Sequence, residues 1–171
     1  MAYEVPDSHE FKAGNLLLCD IDATTSTAVH DAGYEADTDD GKVFVFKYYQ
    51  SSGVAAAVGG PMVSLASSKS HVVTSDTSDS DAEGSFAGVA TVIQGNSNNV
   101  YCWLQKKGVV KNALVASTVA AGDQVYVGQS EVFAAVEDDI SSVSATALRA
   151  VGIAETAAAG AGTSTATVLL W

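Results

Sequence analysis

Short apolar runs of about four to six residues, cut by clusters of Gly, Asp, Ser and Thr, recur along most of this chain, at the spacing of strands in an all-β sandwich or barrel. The clearest run is Gly41-Lys-Val-Phe-Val-Phe-Lys-Tyr-Tyr-Gln50. β-Branched and aromatic residues dominate it and turn residues flank it, so it predicts a strand. Alternation puts Val43, Val45 and Lys47 on one face, with Phe44, Phe46 and Tyr48 on the other. Residues 1–40 are less regular. Phe11 to Cys19 predicts a single short strand, Asp37-Thr-Asp-Asp-Gly41 reads as a turn, and the whole segment is expected to be an extended N-terminal arm.

Beyond Gly53 one pattern occurs twice. The first copy runs through strands at Gly60 to Leu65, Lys69 to Thr74, Phe86 to Ile93 and Val100 to Gln105, after which Lys106-Lys-Gly108 is expected to turn the chain. The second repeats the order: Gly122 to Val127, Ser130 to Phe133, Ala150 to Ala154 and Ala166 to Trp171, with Gly152 standing where Gly88 stands in the first. An acidic loop, Ser75 to Gly84 or Glu137 to Ser142, sits at the same place in each copy. Trp103 and Trp171 fall at near-equivalent positions and read as core or interface anchors. Thr146 to Arg149 predicts a helical turn. Val109 to Thr118 is long enough for a helix, although its valines argue against one. A period of this kind marks two copies of one supersecondary unit. The expected fold is therefore all-β, a small sandwich or barrel built from two related units (41–108 and 109–171) sharing one packed core, with the arm 1–40 in front.

Composition agrees with strands rather than helices. The chain has 171 residues, enough for a core of its own. Val, Thr and Ser are frequent, and only 16% of residues are charged. The net charge is −12. Residues 1–40 carry ten acids against the single base Lys12, while the remainder carries ten acids against seven bases. Nucleic-acid binding requires an extended cluster of Lys and Arg, which so acidic a chain does not offer, so no nucleic-acid partner is expected. No apolar run is long enough to cross a bilayer as a helix, and no membrane partner is expected. The opening Met-Ala-Tyr-Glu-Val-Pro-Asp lacks the basic and apolar regions of a signal peptide, so synthesis in a cytoplasm with no entry to a secretory route is expected. Cys19 and Cys102 do not make a disulfide framework, and Cys102 reads as a packing residue.

Candidate chemistry is sparse. His9, His30 and His71 are far apart in sequence and none has a ligand partner at metal spacing. Glu35 to Gly41 resembles a calcium loop only superficially: its Gly is one position late, and Phe46 stands where a bidentate Glu belongs. Asp76, Asp79, Asp81 and Glu83, and likewise Glu137, Asp138 and Asp139, read as solvated loops. There is no Gly-x-Ser-x-Gly elbow, and Gly160-Ala-Gly162 lacks the rest of a dinucleotide fingerprint and any P-loop Lys. No catalytic residue, metal or cofactor is expected, and the chain does not read as an enzyme. Lys106, Lys107 and Lys111 form the basic cluster, at the junction of the two copies, where they suit an acidic arm from a neighbouring subunit.

The order Ala-Ala-Gly-Asp-Gln-Val-Tyr-Val (120–127), Val-Gly-Ile-Ala-Glu (151–155) and the Ala/Gly-rich stretch ending Ala-Thr-Val-Leu-Leu-Trp (157–171) resembles the small capsid decoration, or cement, proteins of tailed bacteriophages. Gly60 to Leu65, Gly88 to Gln105 and the opening Met1 to Pro6 resemble them too, with more departures. The resemblance implies a β-rich protein on the outer surface of a virion head. It implies a homotrimer that staples neighbouring major capsid subunits and is helped by an N-terminal arm. The candidate capsid or subunit contacts are then Tyr3, Val5 and Phe11 in the arm, Lys106, Lys107 and Lys111 at the junction, and Trp171. The alternative is a head-fibre or tail adhesin domain that binds a host-surface glycan on an aromatic platform built from Tyr48, Tyr49 and Tyr126.

Overall fold

The computed structural model describes residues 11–15, 17–51, 53–65, 71–77, 86–92, 99–128, 131–135 and 150–171. They form eleven strands and no helix: β1 (Thr24–Thr25), β2 (Glu35–Asp37), β3 (Val43–Tyr49), β4 (Pro61–Ser64), β5 (Val72–Thr74), β6 (Phe86–Ala90), β7 (Val100–Ala116), β8 (Gln124–Val127), β9 (Phe133–Ala135), β10 (Gly152–Ala154) and β11 (Thr163–Leu170). The all-β expectation holds. The helical turn expected at 146–149 and most of both acidic loops lie outside the described residues.

Strands β7 to β11 close into a small five-stranded mixed barrel, with the other six strands packed outside it. Around the barrel, the second half of β7 pairs in parallel with β9, β9 with β8, β8 with β10, β10 with β11, and β11 with β7 again. Four of the outer strands return on themselves in the same order. β3 pairs in parallel with β5, β5 with β4, β4 with β6, β6 with the first half of β7, and β7 with β3. One long strand therefore ends the N-terminal ring and begins the barrel.

Ladder positions match between the two. Met62 faces Gly88 as Val125 faces Gly152. Leu104 lies between Val45 and Ala90 as Val168 lies between Val110 and Ala154. Val73 and Phe133 occupy the same place beside the parallel strand. All of these interior side chains except the glycines belong to two buried clusters, one inside each ring. Both glycines are required by close approach. A Cβ on Gly152 would stand 2.4 Å from the Leu169 carbonyl oxygen, and one on Gly88 2.8 Å from Leu104 Cβ.

Three local expectations are corrected. Lys106-Lys-Gly108 does not turn the chain: β7 runs unbroken for 17 residues, and Val109 to Ala116 is strand, as its valines argued. Gly108, with φ +89° and its Cα side pressed on Lys42, marks where the strand passes from one ring to the other. The buried Gln105 amide donates to the carbonyls of Lys107 and Val109 across that point, at 3.0 and 3.1 Å. Strand β11 starts at Thr163, earlier than the apolar run, because its inward residues include the small Ser164 and Ala166. That shifts the register: Trp103 corresponds to Thr167, and Trp171 lies just past the end of the strand rather than opposite Trp103. The described part of the N-terminal segment also departs from an extended arm. Residues 11–38 fold back over the outer face of β3 and β7, where β2 pairs with β3 and β1 with β7. They place Phe11, Ile21 and Ala36 against Phe44, Phe46 and Trp103 in a third buried cluster. The two faces read from alternation in β3 are both buried for this reason, Val45 inside the ring and Phe44 and Phe46 beneath this cap.

Candidate docking surface

The cap is held by aromatic packing and by charge at its margin. His30 stacks on Tyr34 at 4.7 Å and meets the edges of Phe46 and Trp103 at 5.3 and 5.2 Å. Its Nε2 accepts the backbone N–H of Leu18 at 3.0 Å, so the ring is neutral in this arrangement. Burial among the rings pushes its pKa below 6.5. Phe11 packs on Phe44 with ring centroids 5.8 Å apart and forms a β-bridge with Thr38. Around the rim, Glu35 pairs with Lys106 at 2.6 Å and Asp40 with Lys42 at 2.7 Å. Lys12 donates to Asp37, and this bond, with one from Asn15, holds the Asp37 carboxyl below its usual range. The hydrogen bond from Lys42 does the same for Asp40. Lys47 is pushed down by burial and then by the nearby Lys106 ammonium.

The residues singled out from sequence are divided by the fold. Tyr3 and Val5 lie outside the described residues. Phe11 is 9% accessible and serves the chain's own core. Lys106 is tied to Glu35, whose ladder partner is Val45, on the face of β2 away from Ala36. Lys107 and Lys111 are exposed, and Trp171 is 55% accessible, one of two large apolar side chains so exposed among the described residues (the other is Leu18). Gly108 pairs with Leu170, so Lys107 and Trp171 each stand next to a member of the same ladder pair. The aromatic platform of the adhesin alternative is not assembled: Tyr49 is fully buried, its hydroxyl bonded to the Val54 carbonyl and Ser75, while Tyr48 is on β3 and Tyr126 on β8 of the other ring.

A feature the sequence reading passed over lies on the outside of the barrel. Val109, Leu169 and Ile153 are direct ladder partners on three adjacent strands. Their sequence neighbours Val110, Val168, Leu170 and Ala154 point into the barrel core, so these three point outward, and they are only half-buried. Trp171 follows Leu169 by two residues, just past the end of β11. The signal was the strict alternation of β11, hidden by Ala, Ser and Thr at alternate positions.

Chemistry does not converge on this surface. Among the described residues no group of three or more His, Cys, Asp and Glu is placed to hold a metal ion. Burial pushes the Cys102 thiol up to about 12 and raises Cys19 as well, the opposite of what a nucleophilic thiol requires. Burial, and then Asp76, raise the Glu131 carboxyl; the residue has φ 56° and its N–H donates to Thr77 Oγ1 at 3.1 Å. Thr77 in turn donates to the Gly128 carbonyl at 2.7 Å and ties the N-terminal ring to the barrel. Among the described residues no helix is long and apolar enough to cross a membrane. No protein-family model, no curated protein and no solved structure matches this chain.

Proposed function

We propose that the chain is a capsid decoration protein of a tailed bacteriophage, which binds the outer surface of the expanded head and bridges neighbouring major capsid subunits. It acts by mass action and not as an enzyme, and it works as a homotrimer in the virion. The observation that carries this reading is the ordered likeness of residues 120–127, 151–155 and 157–171 to such proteins. Those segments supply β8, β10 and β11, adjacent strands of the barrel, and β10 and β11 carry two of the three residues of the half-buried apolar row. The matched ladders of the N-terminal ring and the barrel support an origin by duplication of one β unit. The strongly acidic charge fits a protein with no nucleic-acid partner. In this account residues 1–10 are the docking arm, because residues 11–38 are already committed to the chain's own cap.

A ligand that binds only the expanded shell stabilises it by an amount set by affinity and occupancy. Repeated over a symmetric lattice, a modest contact energy becomes large in sum. Cosedimentation is the test. The protein is expected to pellet with expanded, undecorated heads and to remain in solution with unexpanded procapsids. Equal binding to both, or to neither, would refute the proposal.

A further inference from the structure

One short segment of the cap is pinned at both ends and held by a single bond between them. On one side Phe11 bridges to Thr38, and the Asn15 amide donates to the Asp37 carbonyl at 2.7 Å. On the other, the Ile21 carbonyl accepts the buried Thr91 hydroxyl, also at 2.7 Å. Between these pins Leu17 and Cys19 pack on the cluster beneath the cap, while Leu18 is exposed. Among the described residues, the one backbone hydrogen bond of residues 17–19 is the Leu18 N–H donated to His30 Nε2.

Two features of this closed arrangement work against it. The first is the proton state of His30. An accepting Nε2 leaves the proton of the neutral ring on Nδ1, so a second proton has only Nε2 to go to, where the Leu18 N–H already points. The imidazolium and this bond exclude each other. No neighbour offsets the charge. The ring's own turn carries Asp31 and Tyr34, the segment carries Cys19 and then Asp20, and His71 packs against Gly33. β3 and β7 present Phe46 and Trp103, which do not titrate. Among the described residues the ion pairs all lie elsewhere. The second feature is the Trp103 indole. It is fully buried, and its N–H has no hydrogen-bond partner in the closed cap. The Cys19 thiol lies near it: burial raises that thiol's pKa, and the Trp103 N–H partly offsets the rise. Sulfur is a weak acceptor, and water would serve the indole better. We propose that Leu17–Cys19 is a strap, shut by the neutral His30 ring and released when that ring takes a proton from solvent. Release leaves His30 on the face of Tyr34, which suits a cation, and lets water reach the Trp103 N–H and the Cys19 thiol. Both pins stay in place, so the two rings of strands remain folded and the opening is local. The closed form cannot take the second proton, whereas the open form titrates normally. The strap is therefore shut above pH 6.5, and its open fraction grows about tenfold for each pH unit below that.

Nitrogen NMR of the isotope-labelled full chain, followed from neutral to mildly acid pH, tests the strap. The Leu18 amide should move in step with the His30 ring's own titration, while the amides of the barrel strands stay where they are. Hydrogen exchange at the Trp103 indole is divided by that at the exposed Trp171 indole, which removes the intrinsic pH dependence. That ratio should rise about tenfold for each pH unit below 6.5. His30→Gln keeps an acceptor but does not titrate, so its ratio should not change with pH. His30→Ala removes the acceptor, so its ratio should already be raised at neutral pH. Four results would each overturn the proposal: a Leu18 amide that ignores the His30 titration, a wild-type ratio that does not rise, a rise that persists in His30→Gln, or barrel amides that exchange in step with the indole. The wild type and His30→Gln decide the matter even where His30→Ala does not fold.

Discussion

Replacing Gly152 by Ala tests the barrel at its tightest point. The added Cβ would lie 2.4 Å from the Leu169 carbonyl oxygen, 3.1 Å from that carbonyl carbon and 3.2 Å from Val168 Cγ1. Relaxed contacts need about 3.5 Å, so the strands must part by roughly 1 Å. The obstacle is backbone and cannot rotate aside. Separation would stretch the ladder that joins Gly152, Ile153 and Ala154 to Leu170, Leu169 and Val168. The cost should reach the upper end for overpacking, about 3 kcal/mol, or about 6–12 °C in Tm for a chain of this size. Two other glycines supply the scale. Gly160 has open space around it, so Gly160→Ala should stay within about 0.5 kcal/mol of the wild type. Gly122 also has open space but φ +94°, so Gly122→Ala should cost about 1 kcal/mol through backbone strain alone. Urea unfolding reads all three, with the midpoint moving and the slope unchanged. If Gly152→Ala unfolds with Gly160→Ala, the close approach of β10 to β11 is wrong, and with it the matched register of the two rings.

Two further outcomes follow from the cap. Deleting residues 1–10 should leave the urea midpoint unchanged, whereas deleting 1–40 strips Phe11, Ile21 and Ala36 from Phe44, Phe46 and Trp103. The longer deletion should cost at least about 5 kcal/mol from lost apolar burial, enough to expose Trp103 and redden its fluorescence; an unchanged midpoint would show that the cap is not part of the core. Acid should loosen the same region through His30. Its pKa is lower folded than unfolded, so its contribution is complete above pH 6.5 and is lost as the pH falls from there through the folded value. The depressed Asp37 and Asp40 contributions fade only below 3.8. Tm should therefore fall between pH 6.5 and 5 in the wild type and fall less in His30→Gln; parallel profiles would exclude His30 as the cause.

How much of this was legible in the sequence depended on where each element's partners lie. Strand β3 was readable because both of its faces are apolar and its flanks are turn residues. The duplicated order was readable because Gly88 and Gly152 are forced by the same close approach. β1 and β2 were not, since Thr24–Thr25 and Glu35–Asp37 have no apolar pattern and exist by pairing with β7 and β3. Lys106-Lys-Gly108 carries turn chemistry, yet the neighbours on both sides of β7 hold it extended, and Gly108 only redirects the strand. Phe11 looked like an exposed contact because its sequence neighbours are polar; its burial comes from Phe44, 33 residues away in sequence order and next to it in space. Of the candidate contacts, Lys107, Lys111 and Trp171 stand exposed around one face. The apolar row at its centre was hidden because each strand contributes a single residue to it.

Reconstruction of the virion head by cryo-electron microscopy puts the central claim to its most direct test. The account predicts density for the two joined rings on the outer surface of the expanded shell, repeated over the lattice, grouped in threes and spanning the boundary between adjacent major capsid subunits. Density confined to the tail or to a fibre tip, or heads that lack the chain altogether, would contradict it.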